Sequence, residues 1–256
     1  MNGHLLNTRP ADRAAHLTQS LRAAGHQVSE LPLLAFESCP LGAADQQALQ
    51  QIATQSAVVV ISPMAAQLGL AHLLRLGVSA QAVATRWIAV GQATAQVLRQ
   101  AGLDPIVPML ETSEGVVALP AFTELTAMQS VMIWRGEAGR ELIQVQLQQQ
   151  QVSLSSLAFY RRVQPQGLKD DWAHLTHTMG WPDVVLISSA EAWRHWQQLT
   201  GAQALQPWLL VLGQRLLQQL QRLTPRVVAV ADLQPQTIAQ ALQDLMQPPV
   251  QEATPR

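Results

Sequence analysis

Hydroxyl, glycine and arginine residues recur in this chain at one kind of place, where a short apolar run passes into a helix-like segment. A single Ser or Thr there is most often a helix N-cap, and a single Gly is most often a tight turn. Together, such positions present rows of backbone N–H groups, which bind an anion with several acceptors without many basic side chains. We therefore predict a site for a small polyanion at Thr8, Arg9, Ser62, Gly91, Thr94, Arg135, Gly136, Ser188, Ser189 and Gly213.

Motifs for metal, nucleotide or nucleophilic chemistry are weak by comparison. His174 and His177 lie three residues apart without a third ligand nearby, so we interpret them as an exposed helix face and predict no metal. Gly136 and Gly139 do not complete the G-x-G-x-x-G pattern and no Walker lysine motif occurs, which disfavours a nucleotide cofactor. No serine lies in a G-x-S-x-G frame, and Lys169 is the only lysine that a Schiff base would use. The sequence thus indicates neither a metal nor a nucleotide cofactor.

Composition and charge are typical of a soluble globular protein with one large domain or two ordinary ones. The chain has 256 residues, of which 48% are hydrophobic and 13% charged, and its formal net charge is -1. No apolar run approaches the ~18 residues of a membrane span, and the N-terminal residues do not resemble a signal peptide, so we predict a cytoplasmic protein without membrane contact. No basic block is present, which excludes a general nucleic-acid binder. The single Cys39 excludes an internal disulfide.

The candidate site residues follow a repeating pattern of short β-branched runs and helix-like stretches, which is typical of an α/β fold with mostly parallel strands. Helices are predicted in the gaps, one of them at residues 12–24, where Leu17 and Leu21 lie four apart and Gly25 follows as a left-handed cap. Ten strands are predicted, at residues 4–8, 28–33, 58–61, 87–90, 105–107, 131–134, 152–156, 184–187, 209–212 and 227–230.

The sequence also resembles itself. VVVISPMAA at residues 58–66 parallels VVLISSAEA at 184–192, and WIAVGQATAQVL at 87–98 parallels WLLVLGQRLLQQL at 208–220. Two similar lobes, each a five-stranded mostly parallel sheet flanked by helices, explain this repeat; one open ten-stranded sheet, near the upper limit of usual sizes, is the alternative. Ligands of such sheets bind outside the carboxyl ends of the strands, so we predict the site in a cleft between the lobes.

The order of the repeated units predicts that the chain leaves one lobe and later returns to it. Two equal lobes result if the first and last stretches of the chain share a sheet, with two extended segments joining the lobes as a hinge. The predicted boundaries are residues 1–33 with 165–250 for lobe 1, 38–156 for lobe 2, 34–37 and 157–164 for the linker strands, and 251–256 for a tail.

Six short motifs, taken in order, resemble one family along nearly the whole chain. They are TRP at residues 8–10, ISPMAA at 61–66, AVGQATA at 89–95, TSEG at 112–115, RGEAGRELI at 135–143 and FYRR at 159–162. On these motifs the chain resembles the uroporphyrinogen-III synthase family. The resemblance implies two α/β lobes joined by a two-stranded linker, which agrees with the organisation predicted from the repeats.

The resemblance also implies an activity. It is that of a cofactor-free cyclising lyase of tetrapyrrole and haem biosynthesis, which converts linear hydroxymethylbilane to uroporphyrinogen III with loss of water and inversion of the D ring. Tyr160 matches the family's tyrosine, and the resemblance makes it the candidate proton donor to the departing hydroxyl. Leu216 departs from the family, which usually has a Thr three residues after the second glycine turn. The residues implied to bind substrate are Thr8, Arg9, Ser62, Gly91, Thr94, Ser113, Arg135, Gly136, Ser188, Ser189 and Gly213.

The implied partner is the small-molecule substrate, with no nucleic acid and no membrane. We expect a cytoplasmic monomer that makes transient contact with the enzyme before it in the pathway. A non-catalytic two-lobed binding or sensor protein for a small polyanionic ligand would carry the same residues, and this alternative stays open. A nucleotide-sugar transferase is a weaker third candidate, because the chain lacks a phosphate-binding loop. Turnover of hydroxymethylbilane discriminates among the three.

Overall fold

The computed structural model describes residues 3–82, 85–139 and 141–246. The chain divides into two compact units, Met1–Ala35 with Val163–Arg256 and Phe36–Arg162. Each unit contains one five-stranded sheet, with apolar clusters packed against it. Residues 251–256, predicted as a tail, lie outside the described part of the chain.

Strands and helices alternate along the described residues. The strands are β1 (His4–Asn7), β2 (Gln27–Glu30), β3 (Ala35–Ser38), β4 (Ala57–Val60), β5 (Arg86–Ala89), β6 (Ser130–Gly136), β7 (Ser153–Val163), β8 (Val184–Ile187), β9 (Trp208–Leu212) and β10 (Val227–Val230). The α-helices are α1 (Ala11–Ala23), α2 (Ala43–Gln50), α3 (Pro63–Arg75), α4 (Gln92–Gln100), α5 (Ser113–Val117), α6 (Pro120–Thr123), α7 (Leu142–Gln149), α8 (Leu168–Met179), α9 (Ala190–Thr200), α10 (Gln214–Leu220) and α11 (Pro235–Met246).

The first unit has a parallel sheet in the strand order β10-β9-β8-β1-β2. β1 is buried along its whole length. Its consecutive residues Leu5 and Leu6 belong to different apolar clusters, because successive side chains of a strand point to opposite faces. Leu5 and Leu6 are thus buried on opposite faces of the strand, as expected where helices cover both faces of a parallel sheet.

The second unit has the strand order β3-β7-β6-β4-β5. The pairs β7–β6, β6–β4 and β4–β5 are parallel. Val58 and Val59 on β4 again enter different clusters, and the fully buried Trp134 makes edge contacts with Trp87 and Phe159 at ring-centroid distances of 5.2 and 5.4 Å. Because β7, β6 and β4 are parallel neighbours, the residues at their carboxyl ends lie along the same edge of the sheet.

The prediction of a strand at residues 105–107 is wrong. Ile106 makes only an isolated parallel bridge with Ile88, through an N–H donated to the Trp87 carbonyl at 2.8 Å and a carbonyl that accepts from Ala89 at 2.9 Å. Pro105, directly before it, has no N–H to donate, so the pairing does not extend into a ladder. β3 takes the fifth place in this sheet instead.

The nine other predicted strands are confirmed, although β2 ends at Glu30 rather than Leu33 and β7 continues to Val163. The segments predicted as linker strands, 34–37 and 157–164, fall mostly on β3 and on the second half of β7. These two strands are neighbours in the second sheet. The linker prediction therefore concerns strands that also complete the sheet of the second unit.

The predicted helix at residues 12–24 is confirmed as α1, which ends just before Gly25. Gly25 has a φ of +87°, the left-handed conformation in which glycine is favoured because it has no Cβ. Among the described residues, no helix combines the length and the apolar character that crossing a membrane requires.

Candidate active site

Ser62 lies where β4 passes into α3. It is the N-cap of this helix, with extended backbone angles and an Oγ that accepts from the Ala65 N–H at 3.2 Å. Pro63 follows at the first helical position, where its missing N–H costs nothing and its fixed φ suits a helix. Ser62 therefore caps the helix, as expected of a serine at this place. The same Oγ is also 3.0 Å from the Tyr160 hydroxyl.

Tyr160 lies on β7 opposite Gly136 of β6, at a register shift between Arg135 and Gly136. Its ring meets Phe36 edge to face, with centroids 5.5 Å apart. A Cβ at position 136 would be 2.7 Å from two carbons of the tyrosine ring. Two carbon atoms that are not bonded cannot approach this closely. Gly136 therefore leaves room for the Tyr160 ring. Glycine suits this position because the ring comes so close to its Cα, and not because of its backbone angles.

Arg135, at the end of β6, is almost completely buried, with 7% of its surface exposed. Its Nε donates to the Gly136 carbonyl at 3.0 Å, and its Nη1 donates to Oε1 of Gln144 on α7 at 2.5 Å. Both of these acceptors are neutral. Since a guanidinium stays protonated in proteins, the side chain brings a positive charge to this end of the sheet.

These residues line one pocket of about 350 Å³, a volume within the range of small-molecule sites. Five residues predicted from the sequence meet here, and four others complete the wall. The lining consists of Ile61, Ser62, Ser113, Arg135, Gly136, Ala138, Gly139, Tyr160 and Arg162. Two guanidinium groups, two serines and a phenol suit the binding of carboxylates and the transfer of a proton to a neutral leaving group.

Arg162 is the charged lining residue that the sequence reasoning missed. It lies two positions after Tyr160 on β7, and alternate residues of a strand share a face. The FYRR motif therefore contained the signal: once Tyr160 is a site residue, the strand period selects Arg162 and not Arg161. Arg161 instead pairs with Glu37, Nε to Oε2 at 2.9 Å, on an exposed face.

Gly91 and Thr94 do not line this pocket. Gly91 is the N-cap of α4, and the first N–H of that helix, from Gln92, donates to Oε2 of Glu111 at 3.0 Å. Thr94 is buried, and its N–H donates to the Gly91 carbonyl at 3.1 Å. The carboxylate of Glu111 thus lies at the N-terminus of α4, where the sequence pattern predicted an anionic ligand.

At the strand ends of the first unit, Thr8 has a structural role. It is buried, and its hydroxyl donates to the Leu186 carbonyl of the neighbouring strand β8. Arg9, the next residue, is half-buried. Burial, and secondarily the charge of Arg13, lower the pKa of the Arg9 guanidinium from its ordinary value.

Ser188, Ser189 and Gly213 follow β8 and β9. Ser189 is the N-cap of α9 and accepts from the Ala192 N–H at 3.1 Å, whereas Ser188 is partly exposed. Gly213, with a φ of +78°, precedes α10. Leu216, which departs from the family pattern, is buried in the apolar cluster of this unit, so packing explains a leucine at this position.

The two histidines at positions 174 and 177 are exposed on α8, which confirms their interpretation as a helix surface. Within the described ranges, no three His, Cys, Asp or Glu side chains come together as a metal site would require.

The chain is similar to known proteins both in sequence and in structure. The family model described as "Uroporphyrinogen-III synthase HemD" matches residues 15–238. The uroporphyrinogen-III synthase of Salmonella typhimurium is 28% identical over 235 residues, which cover 89% of this chain and 94% of that relative.

Two solved structures share the fold. A mutant uroporphyrinogen III synthase from the extremely thermophilic bacterium Thermus thermophilus has a TM-score of 0.63 at 15% identity and covers 95% of this chain and 98% of its own. The uroporphyrinogen-III synthetase from Helicobacter pylori has a TM-score of 0.58 at 12% identity, with coverages of 95% and 99%.

Proposed function

Because the chain belongs to the uroporphyrinogen-III synthase family, we propose that it converts linear hydroxymethylbilane to uroporphyrinogen III. The reaction removes the terminal hydroxyl as water, inverts the D ring through a spiro intermediate and closes the macrocycle. The protein is accordingly a cyclising lyase of tetrapyrrole and haem biosynthesis. The match over most of the chain and the curated relative support this activity, and they do not favour the non-catalytic sensor.

The observation that carries the assignment to residues is the hydrogen bond between the Tyr160 hydroxyl and Ser62 Oγ, at 3.0 Å, in a pocket with buried Arg135. The phenol donates its proton to the substrate hydroxyl as the carbon–oxygen bond breaks, and water leaves. The bond's electron pair departs with the oxygen, so the bilane becomes an azafulvene cation and Tyr160 a phenolate. The phenolate takes back the proton that the pyrrole carbon releases when the macrocycle closes. Ser62 is placed to accept from or donate to Tyr160, and so to support either protonation state of the phenol.

Binding is the second task of the site. The substrate carries eight carboxylates, and Arg135 and Arg162 provide fork-shaped donors that suit them. Holding the bilane folded determines which carbon of the terminal pyrrole reacts, because the free bilane also closes unaided without rearrangement. Positioning is therefore as important here as lowering the barrier.

The remaining residues implied by the resemblance stay proposals. Arg9, Ser188 and Gly213 are proposed substrate contacts at strand ends of the first unit, through side chains or backbone N–H groups. Thr8, Ser189, Gly91 and Thr94 contribute mainly by holding strand and helix ends in place. A monomer in the cytoplasm, with transient contact to the preceding enzyme of the pathway, completes the proposal.

The decisive experiment is turnover. Freshly generated hydroxymethylbilane is incubated with the protein, and the products are separated into uroporphyrinogen isomers I and III. We expect isomer III to dominate with protein and isomer I to dominate in a buffer control and with heat-denatured protein. Isomer I alone in all samples, with the bilane still bound by the protein, would favour the sensor alternative.

A further inference from the structure

The side-chain amide of Gln144 contacts Arg135, an almost fully buried cation of the pocket. Its Oε1 accepts from Nη1 of Arg135 at 2.5 Å, and its Nε2 donates to Oγ of Ser156 at 3.0 Å. An arginine offers donors only, so the amide oxygen must face the guanidinium. Ser156 on β7 then holds the other end of the amide, which fixes the orientation of Gln144.

The choice of a neutral acceptor matters because of where Arg135 lies. The side chain is 7% exposed, and the acceptors that the described residues give it are a backbone carbonyl and an amide. A carboxylate at position 144 would hold the guanidinium in the same geometry and cancel its charge. Glutamine holds it without adding a negative charge, and among the described residues the hydrogen-bond acceptors of this buried cation are neutral. A buried cation tolerates such surroundings best when a ligand supplies the anion.

The backbone of β6 and β7 is irregular beside Arg135. The register between β6 and β7 shifts between Arg135 and Gly136, and irregularities of this kind redirect side chains beside active sites. Gly136, which has no side chain, leaves room for the Tyr160 ring. The shift therefore lies between the buried cation and the proton donor.

We infer that Gln144 is a positioning residue, which orients the Arg135 guanidinium in the pocket and keeps its positive charge available for a carboxylate of the substrate. The inference rests on the proposed function for the identity of that carboxylate. The role of Gln144 itself follows from the hydrogen-bond chain of Arg135, Gln144 and Ser156.

The test compares two isosteric substitutions on α7. Gln144→Glu keeps the acceptor and adds a negative charge beside Arg135; Gln148→Glu adds the same charge one turn later, at an exposed position. We expect Gln144→Glu to raise KM for hydroxymethylbilane by about tenfold or more, the effect of losing one charge-assisted contact, with kcat nearly unchanged. Gln148→Glu should leave KM within about twofold, as a surface substitution does.

A purely structural role predicts the opposite pattern, because Gln144→Glu preserves the hydrogen bond to Arg135. A wild-type KM in a folded Gln144→Glu variant would therefore overturn the inference. If that variant does not fold, Gln144→Met, which removes the acceptor at similar volume, replaces it. A wild-type KM in Gln144→Met would equally overturn the inference, and a raised KM would support it.

Equilibrium binding of uroporphyrin III, followed by its fluorescence, gives a readout independent of turnover. Weaker binding in Gln144→Glu than in Gln148→Glu supports the inference even if the wild-type protein forms no isomer III, an outcome that would contradict the proposed function alone. Equal binding in both variants contradicts the inference whatever the turnover.

Discussion

Tyr160 is held by its neighbours in the second unit. Gly136 leaves room for its ring, Phe36 supports the ring at an edge, and Ser62 meets its hydroxyl at 3.0 Å. A phenol is neutral before it donates its proton, so it does not compete with the substrate carboxylates for the arginines while the substrate binds. Packing and chemistry of this residue are separable by mutation.

Tyr160→Phe removes only the hydroxyl and keeps the ring against Phe36. We expect folded protein, isomer III as the main product, and a turnover number lower by about a hundredfold, the low end of the usual range for general acid catalysis. The azafulvene is a stabilised cation, which is why the effect lies at that end. Turnover is measured from the rate of isomer III formation, with the melting temperature as the control for folding. Wild-type turnover in this variant would restrict Tyr160 to a packing role.

At the scale of elements, three parallel strands bring the site together. β7, β6 and β4 are consecutive in the sheet. Arg135 and Ser62 lie at the carboxyl ends of β6 and β4, and Tyr160 of β7 lies opposite Gly136, the last residue of β6. Helix α3 begins at this edge and packs on β6, where Gly69 of the helix faces the fully buried Trp134. The start of α3, and with it Ser62, therefore depends on how closely this helix approaches the sheet.

Gly69→Ala tests that approach. An added Cβ would lie 2.3 Å from the Trp134 ring, and a buried ring has little freedom to move. We expect overpacking to cost about 1–3 kcal/mol and the helix propensity of alanine to offset roughly 1 kcal/mol of this. The free energy of unfolding should therefore fall by up to about 2 kcal/mol. Urea unfolding measures the change.

The control for this prediction is Gln67→Ala, an exposed position on the same helix. It should change the free energy of unfolding by no more than about 0.5 kcal/mol. A Gly69→Ala protein that is as stable as wild type would show that the α3–β6 contact adapts.

β1 carries a buried histidine in the first unit. His4 is 4% exposed, and its Nε2 lies 2.8 Å from Ser29 Oγ. Burial lowers the pKa of His4, and the charge of Asp183 opposes this shift with a smaller effect. The folded chain therefore takes up this proton at a lower pH than the unfolded chain, whose histidine has the ordinary value of 6.5.

The sign of the pH dependence follows from linkage. The contribution of neutral His4 to stability is fully present above pH 6.5 and is lost as the pH falls below that value, by up to about 1.4 kcal/mol per pH unit. We expect His4→Gln to flatten this slope, whereas His177→Gln on the exposed face of α8 should not. Urea unfolding between about pH 5 and about pH 8, a span that includes the ordinary histidine pKa, measures it. Parallel slopes in wild type and His4→Gln would exclude His4 as the group responsible.

At the scale of the whole molecule, the net charge does not explain how an anionic substrate is bound. The formal net charge is -1, so the chain as a whole does not attract a ligand with eight carboxylates. Attraction must come from local cations such as Arg135 and Arg162, which line the same pocket. Interactions of this kind weaken as dissolved ions screen them.

We accordingly expect KM for hydroxymethylbilane to rise several-fold when the ionic strength increases from about 0.05 M to about 0.5 M, because the screening length shortens over this range. The value of kcat should change little, since proton donation by a neutral phenol does not depend on the screened charges. Initial rates at several potassium chloride concentrations give both constants. A KM independent of salt would show that hydrogen bonding, and not charge, dominates binding.

Several properties of this protein were determined by the sequence alone. Short β-branched runs that alternate with helix-like segments predict two five-stranded sheets, because secondary structure follows from local periodicity and from residues such as Gly25 that end a helix. The internal repeat and the ordered motifs also predicted the family. Three of the pocket residues, Ser62, Arg135 and Gly136, were predicted from their places at strand ends, since ligands of parallel sheets bind there. Ser113 and Tyr160 came from the motifs shared with the family.

Only the tertiary structure decided which of these residues act together. Ser62 and Tyr160 are 98 positions apart, and their contact depends on the order and register of strands that no local pattern encodes. The tertiary structure also shows where the predicted strand at residues 105–107 fails: Pro105 has no N–H for a ladder, and β3 fills the fifth place of that sheet. The contact of Glu111 with the start of α4 is likewise visible only in the folded chain. Side-chain partners depend on the packed sheet as a whole, because a shift of one residue exchanges the two faces of a strand.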